Sequence, residues 1–188
     1  MDSHFPQPPA RLRSLLEAVH GQYALAWWGL HGVTHWARVY ESGVRLAPET
    51  NADLDVVLLF TLFHDARRLN EGWDRGHGKR GAEFAASLRG DLLQLSPDRF
   101  DMLYYACAMH TEGLTDADPT VQTCWGADRL DLARAGIKPV AARLCTEAAR
   151  LPETIAWATE RSEQRFVPAF VHREWAIPGV QSPDDGWA

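Results

Sequence analysis

Apolar residues recur every three or four positions along most of the chain, and this spacing predicts helices. From Ala10 to Trp27 the series is Leu12, Leu15, Leu16, Val19 and Tyr23. From Thr34 to Leu46 it is Trp36, Val39, Tyr40 and Val44, with Pro48 expected to stop the helix. Asn51 reads as the N-cap of a helix over Ala52–Arg67. Beyond Asp55 that segment is apolar on nearly every side, so it belongs at the centre of a bundle. Gly72–Gly78 reads as a polar, glycine-rich loop, followed by a short helix over Lys79–Leu88 that Gly90 closes. Ser96, Pro97 and Asp98 supply an N-cap, a proline at the first helical position and an acid in the first turn. They open a helix over Pro97–His110, and further helices are expected at Val121–Ala135, Pro139–Arg150 and Pro152–Gln164. No stretch alternates in the manner of a strand. The expected fold class is all-α: one compact helical bundle over residues 1–188, with a proline-rich lead-in at 1–9 and a surface tail at 176–188.

Bulk properties narrow the function. A chain of 188 residues, 46% hydrophobic and 23% charged, can bury a substantial core and lies far from the composition of disordered chains. A formal net charge of -6 disfavours general binding to nucleic-acid backbones, which want a basic face. It is compatible with a small phosphate ester, because a bound metal adds local positive charge. The three cysteines, Cys107, Cys124 and Cys145, form no CxxC pair, which argues against a disulfide framework and for a reducing compartment. The start lacks an apolar run of signal-peptide type, and Val56–Phe63 is too short to cross a bilayer. A cytoplasmic location, with no membrane partner, is expected.

Candidate chemistry sits at helix ends. His35 lies near the start of the second helix, and His64 and Asp65 are adjacent at the end of the most apolar one. His77 falls in the glycine-rich stretch, His110 at the end of the fifth helix and Asp128 on the sixth. A polar dyad closing an apolar helix is costly unless something satisfies both groups, and one cation would do so. Taken singly, each residue also has a plainer reading: a packed or solvated histidine, or an Asp128 paired at the surface with Arg129. His31, four residues before His35 and on the same helical face, is either a substrate contact or outer-sphere acid, or a capping and packing residue.

Five segments together resemble the HD superfamily of metal-dependent phosphohydrolases. HGVTHWARV (31–39) resembles its HxxRV element, LFHDARR (62–68) the HD element and GADRLD (126–131) the terminal aspartate element. HGKRGAEFA (77–85) and CAMHTEGL (107–114) are similar to the further histidine elements of two-metal members such as HD-GYP proteins. The Asp65–His77 separation is short beside theirs and the GYP signature is missing, which argues against a cyclic di-GMP enzyme. The resemblance covers about residues 28–135. It implies a first divalent ion on His35, His64, Asp65 and Asp128. It implies a second on His77 and His110, with Asp65 bridging. Mn, Fe, Co, Ni, Zn or Mg would suit such a ligand set.

The implied activity is hydrolysis of a phosphomonoester or phosphodiester, plausibly a nucleotide, by metal-activated water. Asp65 would orient the nucleophile, and Arg68 would stand where the related HDxGK motif has lysine. Arg67, Lys79 and Arg80 read as solvated surface, and Arg38 as a structural partner of a buried acid. Most of the eight tryptophans should be core, with Trp73 the best placed to stack on a flat substrate group. Two other functions fit the same motifs: a non-catalytic HD domain that senses a ligand or scaffolds a partner, and a di-iron HD-like oxygenase.

Overall fold

The computed structural model describes residues 9–182, and its regular structure there is helical. The helices are α1 (Pro9–His20), α2 (Val33–Thr50), α3 (Leu54–Phe63), α4 (His77–Ser87), α5 (Pro97–Met109), α6 (Pro119–Leu130), α7 (Glu147–Arg150), α8 (Pro152–Glu163) and α9 (Ala169–Arg173). Single 3-10 turns occur at Leu132–Ala135 and Ala141–Arg143. Among the described residues strand pairing is limited to one isolated bridge between Arg89 and Leu93. No described helix is long and apolar enough to cross a membrane.

The most apolar helix is also the central one. Every residue of α3 from Val56 to Phe63 is buried, and α3 packs against α1, α2, α4, α5 and α6. Two glycines on α4 permit its close approach. A β-carbon on Gly81 would lie 2.1 Å from the Phe63 carbonyl oxygen. One on Gly78 would lie 2.3 Å from the Cys107 carbonyl oxygen. Across the bundle, the buried Trp125 indole donates to the Ala106 carbonyl at 2.9 Å and ties α6 to α5. Trp36, Trp125 and Trp175 are fully buried core residues, as the sequence suggests for most tryptophans.

Several boundaries differ from the sequence expectation, each for a local reason. The first helix stops at His20 rather than Trp27. The following residues form turns in which the Trp27 carbonyl accepts from Val33 N–H at 2.8 Å. Pro48 does not end α2: it forgoes its own helical hydrogen bond, and the helix runs on to Thr50. Asn51 is not an N-cap: it adopts the left-handed conformation (φ 52°) that closes α2. Asp53 caps α3 instead, accepting from the N–H groups of Asp55 (3.0 Å) and Val56 (3.2 Å). His77 is the first residue of α4 rather than part of the loop before it. The single helix expected over Pro139–Arg150 is a 3-10 turn and the short α7, because Leu144 and Thr146 are extended and Thr146 caps the second piece. The tail beyond 176 is partly packed, with Ile177 and Val180 against the core, and α9 precedes it. The lead-in at 1–8 and the last residues, 183–188, lie outside the described part.

Candidate metal centre

Chain direction brings the six chemical residues to one end of the central helix. His64 caps α3 and Asp65 follows it. His35 is on α2, His77 opens α4, His110 caps α5 and Asp128 is on α6. They form two buried groups able to hold a metal ion: His35, His64 and Asp128, and Asp65, His77 and His110.

In the first group the His35 and His64 Nε2 atoms are 3.1 Å apart. Asp128 Oδ1 lies 3.5 Å from the first and 3.7 Å from the second. In the second, the His77 and His110 Nε2 atoms are 3.0 Å apart. Asp65 Oδ1 lies 3.0 Å from His77 Nε2 and 3.8 Å from His110 Nε2. The other Asp65 oxygen, Oδ2, faces the first group, 3.6 Å from His35 Nε2 and 3.7 Å from His64 Nε2. One carboxylate therefore offers an oxygen to each histidine pair.

The four imidazoles are oriented in one way. His35 Nδ1 donates to Asp131 Oδ2 at 2.8 Å. His64 Nδ1 faces the carbonyls of Phe60 (3.1 Å) and Thr61 (3.2 Å). His77 Nδ1 donates to the Asp74 carbonyl and His110 Nδ1 to that of Cys107, both at 2.7 Å. Carbonyls only accept, so the ring proton belongs on Nδ1 and Nε2 presents a lone pair to the centre. Two lone pairs facing each other at 3.0–3.1 Å repel unless a proton or a metal cation lies between them. Ligands about 2.0–2.2 Å from a tetrahedral ion are themselves roughly 3.3 Å apart, which matches this spacing. The residues thus fit a borderline divalent metal, with nitrogen and oxygen donors and a second shell that fixes the rings.

Electrostatics agree with that fit. Burial lowers the basicity of His35, and that of His64 to about 3. Burial works against the charge on Asp65, yet His64, His110 and His77 outweigh it and hold the carboxyl well below the ordinary range. Asp128 is likewise held down, against burial, by His64, His110 and His35. His110 goes the other way: burial disfavours its charge, but Asp65 and Asp128 prevail and raise its pKa. The cluster favours a positive charge at its centre.

Beyond these groups a cleft of about 440 Å³ opens over Asp65, His77, His110 and Asp128. His35 and His64, with no exposed surface, lie behind it. Arg68 is buried on the cleft wall. Its Nε and Nη2 donate to the carbonyls of Asn70 (3.3 Å) and Gly72 (2.6 Å), and Nη1 stands 3.4 Å from Asp65 Oδ1. His31 also lines the cleft and donates Nδ1 to Glu71, so it is a polar wall residue rather than an apolar packing one. Trp73 is 85% exposed on the same rim. Arg67, Lys79 and Arg80 pair elsewhere, with Gln22, Glu83 and Asp74.

Three contributors, Asp131, Arg134 and Glu71, escape a reading of the sequence by residue type, whereas Arg38 is expected from the sequence to meet a buried acid. Arg38 pairs with Asp131 through Nε at 2.7 Å and Nη2 at 3.0 Å, and Asp131 in turn holds His35. Asp131 lies inside the GADRLD segment, so its place in the motif is the signal for it. Arg134, one turn further on, lines the cleft with Nε on the Leu30 carbonyl (3.1 Å) and Nη1 on that of Asp131 (2.9 Å). Glu71 has no sequence signal beyond its polar loop.

No protein-family model and no curated protein matches the sequence. Among solved structures, the chain is similar to a predicted HD superfamily hydrolase from an uncultured Thermotogales bacterium. The two are 25% identical, the match covers 88% of this chain and 94% of that one, and the TM-score is 0.62.

Proposed function

We propose that the chain is an HD-superfamily domain and a metal-dependent phosphohydrolase acting on a small phosphate ester, with a nucleotide as the favoured type. The observation that carries the reading is Asp65, whose two oxygens each face a different histidine pair at the floor of a cleft walled by arginines. His35, His64, Asp128 and Asp65 would hold one divalent ion, and Asp65, His77 and His110 a second. Such ions supply hydroxide near neutral pH and positive charge for phosphoryl oxygens.

The chain's own residues divide the remaining work. Asp65 orients the nucleophile between the histidine pairs. Arg68 presents Nη1 beside it, and Arg134 lines the cleft near Asp131. These guanidiniums are placed to take the equatorial oxygens of a phosphoryl group, where charge accumulates during transfer. The Arg68 fork is fixed by two carbonyls, so little reorganisation is needed when substrate arrives. His31, with Nδ1 committed to Glu71, keeps Nε2 for the substrate.

The test is elemental analysis of purified protein followed by turnover of p-nitrophenyl phosphate and a nucleotide panel with Mn, Co, Ni and Mg. Bound divalent metal and metal-dependent phosphate release are expected. Binding of phosphoesters without turnover would leave a sensing domain. Iron with oxygen uptake, and no phosphate release, would point to the oxygenase instead.

A further inference from the structure

The cleft over the metal-binding groups is far more basic than the chain around it. The sequence has 19 lysines and arginines against 25 aspartates and glutamates. The cleft reverses that balance. Arg68, Arg129, Arg134, Lys138 and Arg143 line it, against two carboxylates, Asp65 and Asp128, both turned to the histidines. Arg68 and Arg134 are the two assigned above to the phosphoryl group over Asp65. The other three form a separate set.

Arg129 is the anchor of that set. It is 8% exposed, and its Nη1 donates to the Arg143 carbonyl (2.9 Å) and contacts Cys145 Sγ (3.2 Å). Its Nη2 is buried with no hydrogen-bond partner among the described residues. No carboxylate among them forms an ion pair with Arg129, Lys138 or Arg143. Asp128, its neighbour in sequence, projects from another side of α6 toward His35 and His64. A buried guanidinium with an unmet donor and no counter-charge is costly in a folded protein, and an anion removes that cost.

The wall between Gly136 and Leu144 supplies the rest. It leaves Gly136 in the left-handed conformation (φ 76°) and carries exposed Lys138 and Arg143 with Ile137, Pro139 and Val140 between them. Arg143 is held beside Arg129 through its own carbonyl. The exposed side chains of Ile137 and Val140 offer apolar surface to whatever joins two anionic groups.

We propose that Arg129, Arg143 and Lys138 form a second phosphate site in this cleft, so that the ligand is a small organic bisphosphate. This rests on the phosphohydrolase reading for the first group: one phosphoryl over Asp65 and Asp128, the other on Arg129. The apolar wall covers the scaffold that joins them. Planar guanidinium groups suit phosphate through paired N–H donors, and a bivalent ligand gains from the short link between its two ends.

The experiment uses phosphonates, which do not hydrolyse, on the full metal-loaded chain. Calorimetry compares propylphosphonate with α,ω-bisphosphonates from methane to hexane. At least one bisphosphonate should bind tenfold or more tightly than the monophosphonate. In a Lys138→Gln, Arg143→Gln double variant, both positions being exposed, that advantage should shrink to about twofold while monophosphonate affinity stays unchanged. Arg129→Gln, checked for native circular dichroism, should abolish the advantage; the exposed double variant carries the test whether or not Arg129→Gln folds. A series that binds no better than propylphosphonate overturns the proposal. So does an advantage kept by the double variant, since the second group would then sit on the metal ions, or an equal loss of mono- and bisphosphonate affinity. Turnover of phosphoesters without this discrimination removes the second site alone. Discrimination without turnover removes the hydrolase reading and keeps the site.

Discussion

His35 Nδ1 and Asp131 Oδ2 lie 2.8 Å apart, and that contact sets the direction in which the other ring nitrogen faces. The same carboxylate is gripped by Arg38 on both oxygens. Asp131 thus has two duties, one to the imidazole and one to a buried guanidinium, and the two are separable by substitution.

Asp131→Ala leaves Arg38 buried without its partner and should cost about 3–5 kcal/mol in urea unfolding. Asp131→Asn keeps hydrogen-bonding capacity and should recover part of that stability. It should still weaken metal affinity about 10–100-fold, the usual effect of losing an outer carboxylate on a ligating histidine. Unchanged affinity in Asp131→Asn, measured by competition with a chelator, would separate Asp131 from the metal centre.

Asp65 is the residue shared by the two histidine pairs. Asp65→Ala should keep its helical circular dichroism and lose both ions. His110→Ala should lose one ion and retain the other. Elemental analysis of the two variants beside the parent reads the result. Full metal content in Asp65→Ala rejects the assignment, and an unchanged ratio in His110→Ala would mean a single-metal site.

Gly78 leaves room for His110. A β-carbon there would fall 2.7 Å from His110 Nδ1 as well as against the Cys107 carbonyl. Gly78→Ala should therefore force α4 away from α5 at a cost of about 1–3 kcal/mol, the range for overpacking a well-filled site. It should also displace His110 and lower occupancy of the second ion more than the first. Equal occupancy of both sites in that variant would contradict the geometry.

Acid should destabilise the metal-free protein well before its carboxylates protonate. Burial holds His64 near 3, against 6.5 for an ordinary histidine. Between those values the unfolded chain takes up a proton that the native chain refuses, so stability falls as pH falls. His35 and His31 are lowered in the same direction, also chiefly by burial. His110, raised by its acidic neighbours, contributes fully below 6.5 and does not offset the loss in this window. Asp65, Asp128 and Asp131 are held low, and they add their own loss only below their ordinary value of 3.8. Melting temperature should decline from pH 6.5 downward and fall more steeply under 3.8. A flat profile between pH 7 and 4 would show that the histidines are not buried neutral.

The helices could be read from the sequence because their apolar spacing is regular, and α3 could be placed at the centre because it lacks a polar face. The six chemical residues were visible because each falls within a short motif near a helix end. Tertiary constraints were less visible. Residues 21–27 are expected to continue the first helix but are pulled into turns by the approach of Gly32 to Trp27, where a β-carbon would lie 2.0 Å from the carbonyl oxygen. Asn51 has the chemistry of an N-cap and also tolerates the left-handed conformation, and the position of Asp53 decided between the two. The plainer reading of Asp128 pairs it at the surface with Arg129. Consecutive helical residues point about 100° apart, and here one reaches the histidines while the other reaches Arg143. Asp131 and Arg134 act through partners far away in sequence, which periodicity does not report.

The groups that converge at this centre are spread along the chain, so that the carboxylate steadying His35 lies 96 positions from it. No local stretch can assemble the site, and a nascent chain that has not yet released α6 lacks Asp128 and Asp131 altogether. Any cation held here could therefore load only after the segments through Asp131 have come together. Because the denatured chain offers no comparable pocket, every ion captured shifts the folding equilibrium by mass action. The metal would serve as a rivet set last, closing five segments that only the finished bundle brings together.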